Sequence, residues 1–193
     1  MLLALLAAIQ ILGFSPDDKS AAYLETGENE GSGEAFANLH VIDVAKNTDK
    51  VTSFDSEAKA LKAAGTAWVK PRTIEHDEHG ELSDRTGAPI GTLSLTTRKG
   101  GKSTCDEPFG PLLIKLVMHF MDDDKPATVA AEKSAPKSRQ CVSSCSLGKV
   151  YAHGKAALVL VTCVTPGFEG KGESVTPFAK SLPYGLDEDL PDH

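Results

Sequence analysis

The chain has 193 residues, of which 40% are hydrophobic and 24% charged, and it carries a net charge of −7. This is the make-up of a folded domain of ordinary size rather than of a disordered chain. The acidic balance, with no block of Lys and Arg, excludes nucleic acid as a partner and argues equally against anionic lipid.

The chain opens with the apolar run "MLLALLAAI". Residues 1–10 read as a truncated secretory leader: Leu and Ala dominate, and they suit a helical h-region better than a strand. No Lys or Arg precedes the run, and a hydrophobic first strand is the competing reading. No segment reaches the ~20 apolar residues that a bilayer-spanning helix requires, so no integral span is expected. Residues 13–24 predict strand, turn, strand, with Pro16 setting φ and Asp17-Asp18 completing the turn. Residues 25–37, "ETGENEGSGEAFA", predict a Gly/Glu loop. Residues 39–45 alternate as a strand does, with Leu39 and Val41 on one face and His40, Ile42 and Val44 on the other. Asn47 to Asp49 supply turn chemistry.

Asp55–Ala64 is the best helical stretch. Asp55 or Ser53 is the expected N-cap, Gly65 suits the left-handed position after the last turn, and Ala58 and Leu61 form a thin apolar side. Residues 66–90 read as a strand fragment around Trp68 followed by a polar stretch. Beyond residue 91 the signals are for strands: 92–97, then 112–120 with Ile114, Leu116, Met118 and Phe120 on one face, then "ATVAAE". Residues 148–164 form a hairpin signal about His153-Gly154, and "ESVTPFAK" completes the set. Residues 181–193 are an acidic tail expected to be disordered. The expected architecture is mainly β and antiparallel, a sandwich or partly open barrel with one short helix. It spans residues 11–180 as a single domain, and the "SPD" hairpin pairs with the C-terminal hairpin.

The four cysteines do not have zinc-knuckle spacing. They lie symmetrically about two predicted turns: Asp123 is midway between Cys105 and Cys141, and Gly154 between Cys145 and Cys163. Residues equidistant from a hairpin turn face each other, close enough for a disulfide. The predicted bridges are therefore Cys105–Cys141 and Cys145–Cys163, with Cys141–Cys145 the main rival.

Two resemblances follow from the motifs. The stretch "GFSPDDKSAAYLE…LHVIDVAKN" resembles the "SPDG" blade repeat of TolB-type propellers, with Asp18 at the turn position that Gly takes at positive φ. It occurs once, whereas a propeller needs at least four blades. Over residues 11–180 the chain more closely resembles a bacterial family of predicted secreted proteins of unknown function. The likeness rests on "LGFSPDD" (12–18), "GSG" (31–33), "LHVIDV" (39–44), "SRQC" (138–141) and "GFEGK" (167–171). Asp18, Gln140 and Lys171 depart from the family's Gly, Gly and Pro. The resemblance implies export to the Gram-negative periplasm or beyond and brings no established activity.

The cluster "EHDEH" (75–79) offers His76 and His79, with Glu75 or Asp77, as ligands for a divalent metal. A solvated loop is the plainer reading. Glu28, Glu30, Ser32 and Glu34 faintly recapitulate a calcium loop, but their flanks are strands. "GGKST" (100–104) lacks the first Gly of a P-loop and a following helix. Cys141 with His119 or His153 can be written as a nucleophile and base, but a disulfide takes precedence in an oxidising compartment. Arg139 and Glu169 can form a surface ion pair near the Cys105–Cys141 bridge. No residue is assigned a catalytic role and no cofactor is expected. The favoured function is a non-enzymatic envelope module that binds another envelope protein or a small ligand. The alternative is a metal-dependent or acid/base hydrolase acting on an envelope substrate.

Overall fold

The computed structural model describes residues 8–28, 32–84, 86–121, 123, 125–136, 139–167, 170–183, 185 and 186. The first strands are β1 (Ala8–Phe14), β2 (Ser20–Glu28), β3 (Ala35–Asp43) and β4 (Thr48–Phe54), joined in sequence order into a four-stranded antiparallel sheet. Helix α1 (Glu57–Ala64) follows. Then come β5 (Arg72–His76), β6 (Glu81–Ser83), β7 (Pro89–Lys99), β8 (Leu112–Phe120), β9 (Ala127–Ala131), β10 (Ser144–His153), β11 (Ala156–Gly167) and β12 (Gly170–Ser181). These eight form one antiparallel sheet in the order β12-β11-β10-β5-β6-β7-β8-β9, which curls until its edges β9 and β12 approach each other as a nearly closed barrel.

The turn between β1 and β2 is built by Ser15. Its carbonyl accepts from Asp18 N at 2.9 Å, and its hydroxyl accepts from Ser20 N at 2.9 Å. Asp18 takes φ 58°, the left-handed conformation expected at that position. The loop expected at 25–37 is shorter, because β2 runs on to Glu28 and β3 begins at Ala35. Cross-strand partners, not local propensity, extend them. The stretch 66–90 is also more regular than its composition suggests, since it holds β5, β6 and the start of β7.

Helix α1 ends as expected, with Gly65 at φ 72° donating its N–H to Leu61 O at 3.2 Å. Its start differs. Ser56 is the N-cap and its side chain makes no capping bond. Asp55 instead holds Lys59 Nζ at 2.6 Å, and Ser53 lies within β4. The buried helical residue is Ala60 rather than Ala58, and Leu61 is 36% exposed. Trp68 Nε1 donates to Ala64 O at 2.9 Å and so satisfies one of the carbonyls left free in the last turn.

The layers run helix, small sheet, barrel. Leu24, Ala37 and Leu39 meet Ala60 of α1 on one face of the small sheet. Phe14, Ala21, Tyr23, Ile42 and Val44 on the other face meet Leu158, Leu160 and Ala179 of the barrel wall. The "SPD" hairpin therefore packs face to face on the C-terminal strands and does not pair with them edge to edge. In β11 alternate residues serve two cores, with Leu158 and Leu160 toward the small sheet and Val159, Val161 and Cys163 toward the barrel interior. Burial on both faces explains why this strand reads as a continuous apolar run. As anticipated, Ile114, Leu116 and Met118 of β8 point into the barrel together.

Residues 8–10 of the expected leader belong to β1, paired with Thr26, Glu25 and Leu24, while residues 1–7 lie outside the described residues. At the other end, Leu182 and Leu186 are buried in the barrel core, so the acidic tail begins with two anchoring residues. Residues 184 and 187–193 are outside the described set.

Candidate functional site

A barrel raises the question of an internal ligand cavity. Leu82, Leu93, Met118, Val129, Val150, Val159, Leu182 and Leu186 converge on its centre and leave about 10 Å³, no more than the space one water occupies. Around this point the barrel is filled by side chains of its own wall.

Both disulfides form with the predicted partners. Cys145 and Cys163 oppose each other on β10 and β11 with Cα atoms 4.0 Å apart. The two-residue turn Gly154-Lys155 sets Ala156 opposite His153, and this register alone would place Cys145 against Val164. A bulge between Leu147 and Val150 takes up one residue and restores Cys163 as the partner. Cys105 and Cys141, with Cα atoms 5.8 Å apart, meet by a different route. The β8–β9 ladder is centred near Asp123 as expected, but it does not extend as far as the cysteines. Cys105 lies in the irregular segment after β7, and Cys141 adjoins an isolated bridge between Gly110 and Val142.

Of the candidate metal ligands, Glu75 and His76 line an open groove of about 410 Å³ together with Thr73, Ile74, Gly148 and Lys149, and Asp77 and His79 do not. Here β5 leaves β10 and turns to pair with β6. His76 bridges the gap, with Nε2 2.6 Å from Gly148 O and Nδ1 2.9 Å from Asp77 O. Asp77 is occupied in its own turn, accepting from His79 N and Glu81 N, and these bonds hold its carboxyl below the usual carboxylate range. His79 is exposed, with Nε2 3.7 Å from Glu78 Oε1. Among the described residues no group of three or more His, Cys, Asp or Glu side chains is arranged to share a metal ion. In the acidic loop that only faintly resembles a calcium site, Ser32 Oγ accepts from Glu34 N, Glu28 ends β2, and Glu30 is outside the described residues.

The densest polar cluster is one that the strand pattern hid. Tyr23 and His40 are register partners on β2 and β3, with stacked rings 4.2 Å apart. His40 Nδ1 lies 2.7 Å from Asp49 Oδ2 of β4 and 2.7 Å from Tyr23 Oη, and Tyr23 donates to Asp49 at 3.4 Å. On the other side, Nε2 is 3.4 Å from Glu25 Oε2, within ion-pair range but without hydrogen-bond alignment, and Asn38 donates to the same oxygen at 3.0 Å. Burial disfavours the imidazolium, but the bond to Asp49 and the ion pair with Glu25 outweigh it and raise the His40 pKa to about 9. Glu25 is lowered by its ion pair with His40, against burial and with help from the Asn38 hydrogen bond. Burial and the neighbouring carboxylates push the Tyr23 phenol up. At neutral pH this is a charged imidazolium clamped by carboxylates beside a protonated phenol. The cluster fastens three strands, β2, β3 and β4, to one another.

Two further contacts join distant parts of the chain, one between the layers and one within the barrel. Asp18 Oδ1 sits 2.6 Å from His153 Nδ1, linking the first turn of the chain to the β10–β11 turn. Arg139 is fully buried rather than at the surface. It pairs with Glu132 Oε1, donates to Leu112 O at 3.2 Å, and lies 5.9 Å from the Phe178 ring centre. Glu169, its expected partner, is outside the described residues. Cys141 is bridged and His119 is exposed on β8, so the nucleophile reading has no counterpart here.

A two-layer β protein with a filled barrel and two disulfides is the class that fold and surface define. The family model described as "Predicted secreted protein (DUF2259)" matches residues 22–179, and the chain belongs to that family. No curated protein and no solved structure gives a significant match.

Proposed function

We propose that the chain is an exported module of the Gram-negative periplasm that acts by binding another envelope protein, not by catalysis. In this reading residues 11–180 fold as one unit and the N-terminal apolar run directs export. The filled barrel interior carries the reading: with space for about one water at the centre, a ligand has to be met on the outer surface. A blade-like meander, β1 to β4, and two disulfides suited to an oxidising compartment support it. The small-ligand version would use the groove at Glu75, His76 and Lys149. Shared use of β11 by both cores supports the single unit.

The test is cell fractionation combined with photo-crosslinking from exposed Val51 and Met121 in the full-length chain. The expected result is oxidised protein in the periplasmic fraction and a discrete crosslink to one envelope protein. Cytoplasmic protein with four free thiols, or no crosslink from either site, would overturn it. A hydrolase at His76 and His79 predicts stoichiometric metal that is lost with hydrolytic activity in H76A/H79A, and that outcome would replace the binding reading. Both ring nitrogens of His76 already face backbone carbonyls, so a metal there would have to displace one of them.

A further inference from the structure

Between β10 and β7 the barrel wall is filled along only part of its height. β5 and β6 are 5 and 3 residues long. They stand between the longer strands at one end only: β10 pairs with β5 through Val150, Tyr151 and Ala152, and β7 pairs with β6 through Pro89, Gly91 and Thr92. β8, by contrast, accompanies β7 from Gly91 to Lys99. The remainder of β7 therefore has a ladder on one side alone, and Thr96, Thr97, Arg98 and Lys99 are exposed.

Neighbouring bonds fix which backbone groups face the open side. Ile114, opposite Thr97, turns away from β7: its N–H donates to Glu132 Oε2 at 2.8 Å and its carbonyl accepts from Glu132 N at 3.1 Å. The two are thus a non-hydrogen-bonded pair, and the N–H and C=O of Thr97 point away from β8. Leu93 has the same phase, since its N–H reaches Gly80 O, on the β6 side, at 2.8 Å. Leu95, Thr97 and Lys99 accordingly present their backbone groups to the open side, and those groups have no hydrogen-bond partner among the described residues. A row of unpaired N–H and C=O groups is a template for an added strand.

The side chains give this edge a sign. Arg98 and Lys99 on it, Lys115 on β8 and Lys102 in the following loop are all exposed, and none has an ion-pair partner among the described residues. Residues 86–105 contain no Asp or Glu, in a chain whose net charge is −7. The acidic residues that follow, Asp106 and Glu107, come after the bridged Cys105. The exposed edge at β4 differs, because Asp49 and Lys50 stand side by side on it and select no sign of partner. We propose that the Leu95–Lys99 edge of β7 takes up an extended acidic segment of a partner protein as an added β-strand. The backbone of that segment pairs with Leu95, Thr97 and Lys99, and its carboxylates meet Arg98, Lys99, Lys102 and Lys115. This rests on the binding reading above and gives it a surface and a partner chemistry.

The probe is a fluorescein-labelled peptide of alternating Val and Glu, about eight residues long, added to the oxidised full-length chain and followed by anisotropy. Its backbone N-methylated counterpart keeps the carboxylates but cannot donate to a ladder, and it needs no protein variant. The expected result is saturable binding that weakens about tenfold with the methylated peptide and about tenfold in R98E/K99E, and that is lost when Lys replaces Glu in the peptide. Amide exchange at Thr97 and Lys99 slows on binding while exchange on β10 and β11 does not, and R98E/K99E keeps the wild-type melting midpoint. Absence of saturable binding to the wild type would overturn the proposal. So would equal binding of the methylated peptide or of a sulfated oligosaccharide, which would make the patch a polyanion site without strand addition. Self-association of R98S/K99S, with no peptide bound by the wild type, would make the two cations a guard against edge pairing. An envelope crosslink from Val51 or Met121 that persists in R98E/K99E, again without peptide binding, would remove this site and leave the binding reading in place.

Discussion

A protonated imidazole clamped between carboxylates makes the small sheet sensitive to pH in a direction that its shifted pKa dictates. His40 titrates near 9 in the folded chain against 6.5 in the unfolded one. Its contribution is therefore complete below about pH 6.5 and is lost as pH rises through about 9. Glu25 behaves oppositely: its pKa is lowered, so its contribution is present above its unfolded value of 4.5 and is lost as pH falls. Thermal melts should show the wild-type midpoint falling between pH 7 and 10, and His40→Gln should flatten that slope while lowering stability at pH 7 by about 1–3 kcal/mol. Proton NMR of the His40 ring should give an apparent pKa near 9. A value near 6.5 would show the clamp to be open. Asp18 is a second residue whose identity the fold explains. It holds a left-handed φ that favours Gly, yet its carboxylate also binds His153 and lies over Gly154, where a Cβ would collide with it. Asp18→Gly trades the contact for conformational ease and should change stability by less than about 1 kcal/mol, whereas Asp18→Ala loses the contact and keeps the strain, and should be the worse of the two in urea unfolding.

At the scale of elements, α1 and the exposed edges carry the argument. Ala60 is fully buried against the small sheet and Leu61 is 36% exposed. Ala60→Leu should destabilise by about 1–3 kcal/mol through overpacking, and Leu61→Glu should stay within about 0.5 kcal/mol. Chemical denaturation of the two variants checks this ordering, and the reverse would mean the helix is turned. The edges at β1, β9 and β12 are occupied in specific ways, whereas β4 is an exposed edge. Asn47 Oδ1 accepts from Ala179 N at 2.8 Å on the outer edge of β12, Val69 bonds Phe14 of β1 in both directions, and Arg139 pairs with Glu132 just after β9 and lies 5.9 Å from the Phe178 ring centre on β12. Asn47→Ala uncaps the β12 amide, and hydrogen exchange at Ala179 should accelerate at least tenfold while exchange at Val159 does not.

For the whole molecule, the covalent framework sets the stability scale. The bridges span separations of 36 and 18 residues, and the chain-entropy account assigns each about 3–4 kcal/mol. Removing both should consume much of the 5–15 kcal/mol typical of a domain, seen as a large fall in the denaturant midpoint of the doubly bridged protein on full reduction. A midpoint that does not move would show the filled barrel to be sufficient without them. The His153–Asp18 pair and the shared strand β11 couple the two sheets, so a single cooperative transition is expected by fluorescence of Trp68 and by far-UV circular dichroism alike.

Period-two alternation placed β3 and β8, the Gly-turn chemistry placed the β10–β11 hairpin, and Gly65 marked the end of α1, because each is a short-range property carried by adjacent residues. The cysteine partners were also readable, since symmetry about a turn is written in residue numbers. For Cys145–Cys163 it took a bulge to make the arithmetic come true, and Cys105–Cys141 closes through loops that no ladder predicts. Tertiary structure alone decided the rest. Whether the first hairpin paired with the last or stacked on it, whether Arg139 lay at the surface or buried, and whether His40 joined Tyr23, Glu25 and Asp49 depend on which strands become neighbours. That choice rests on many weak long-range contacts whose sum has no local signature.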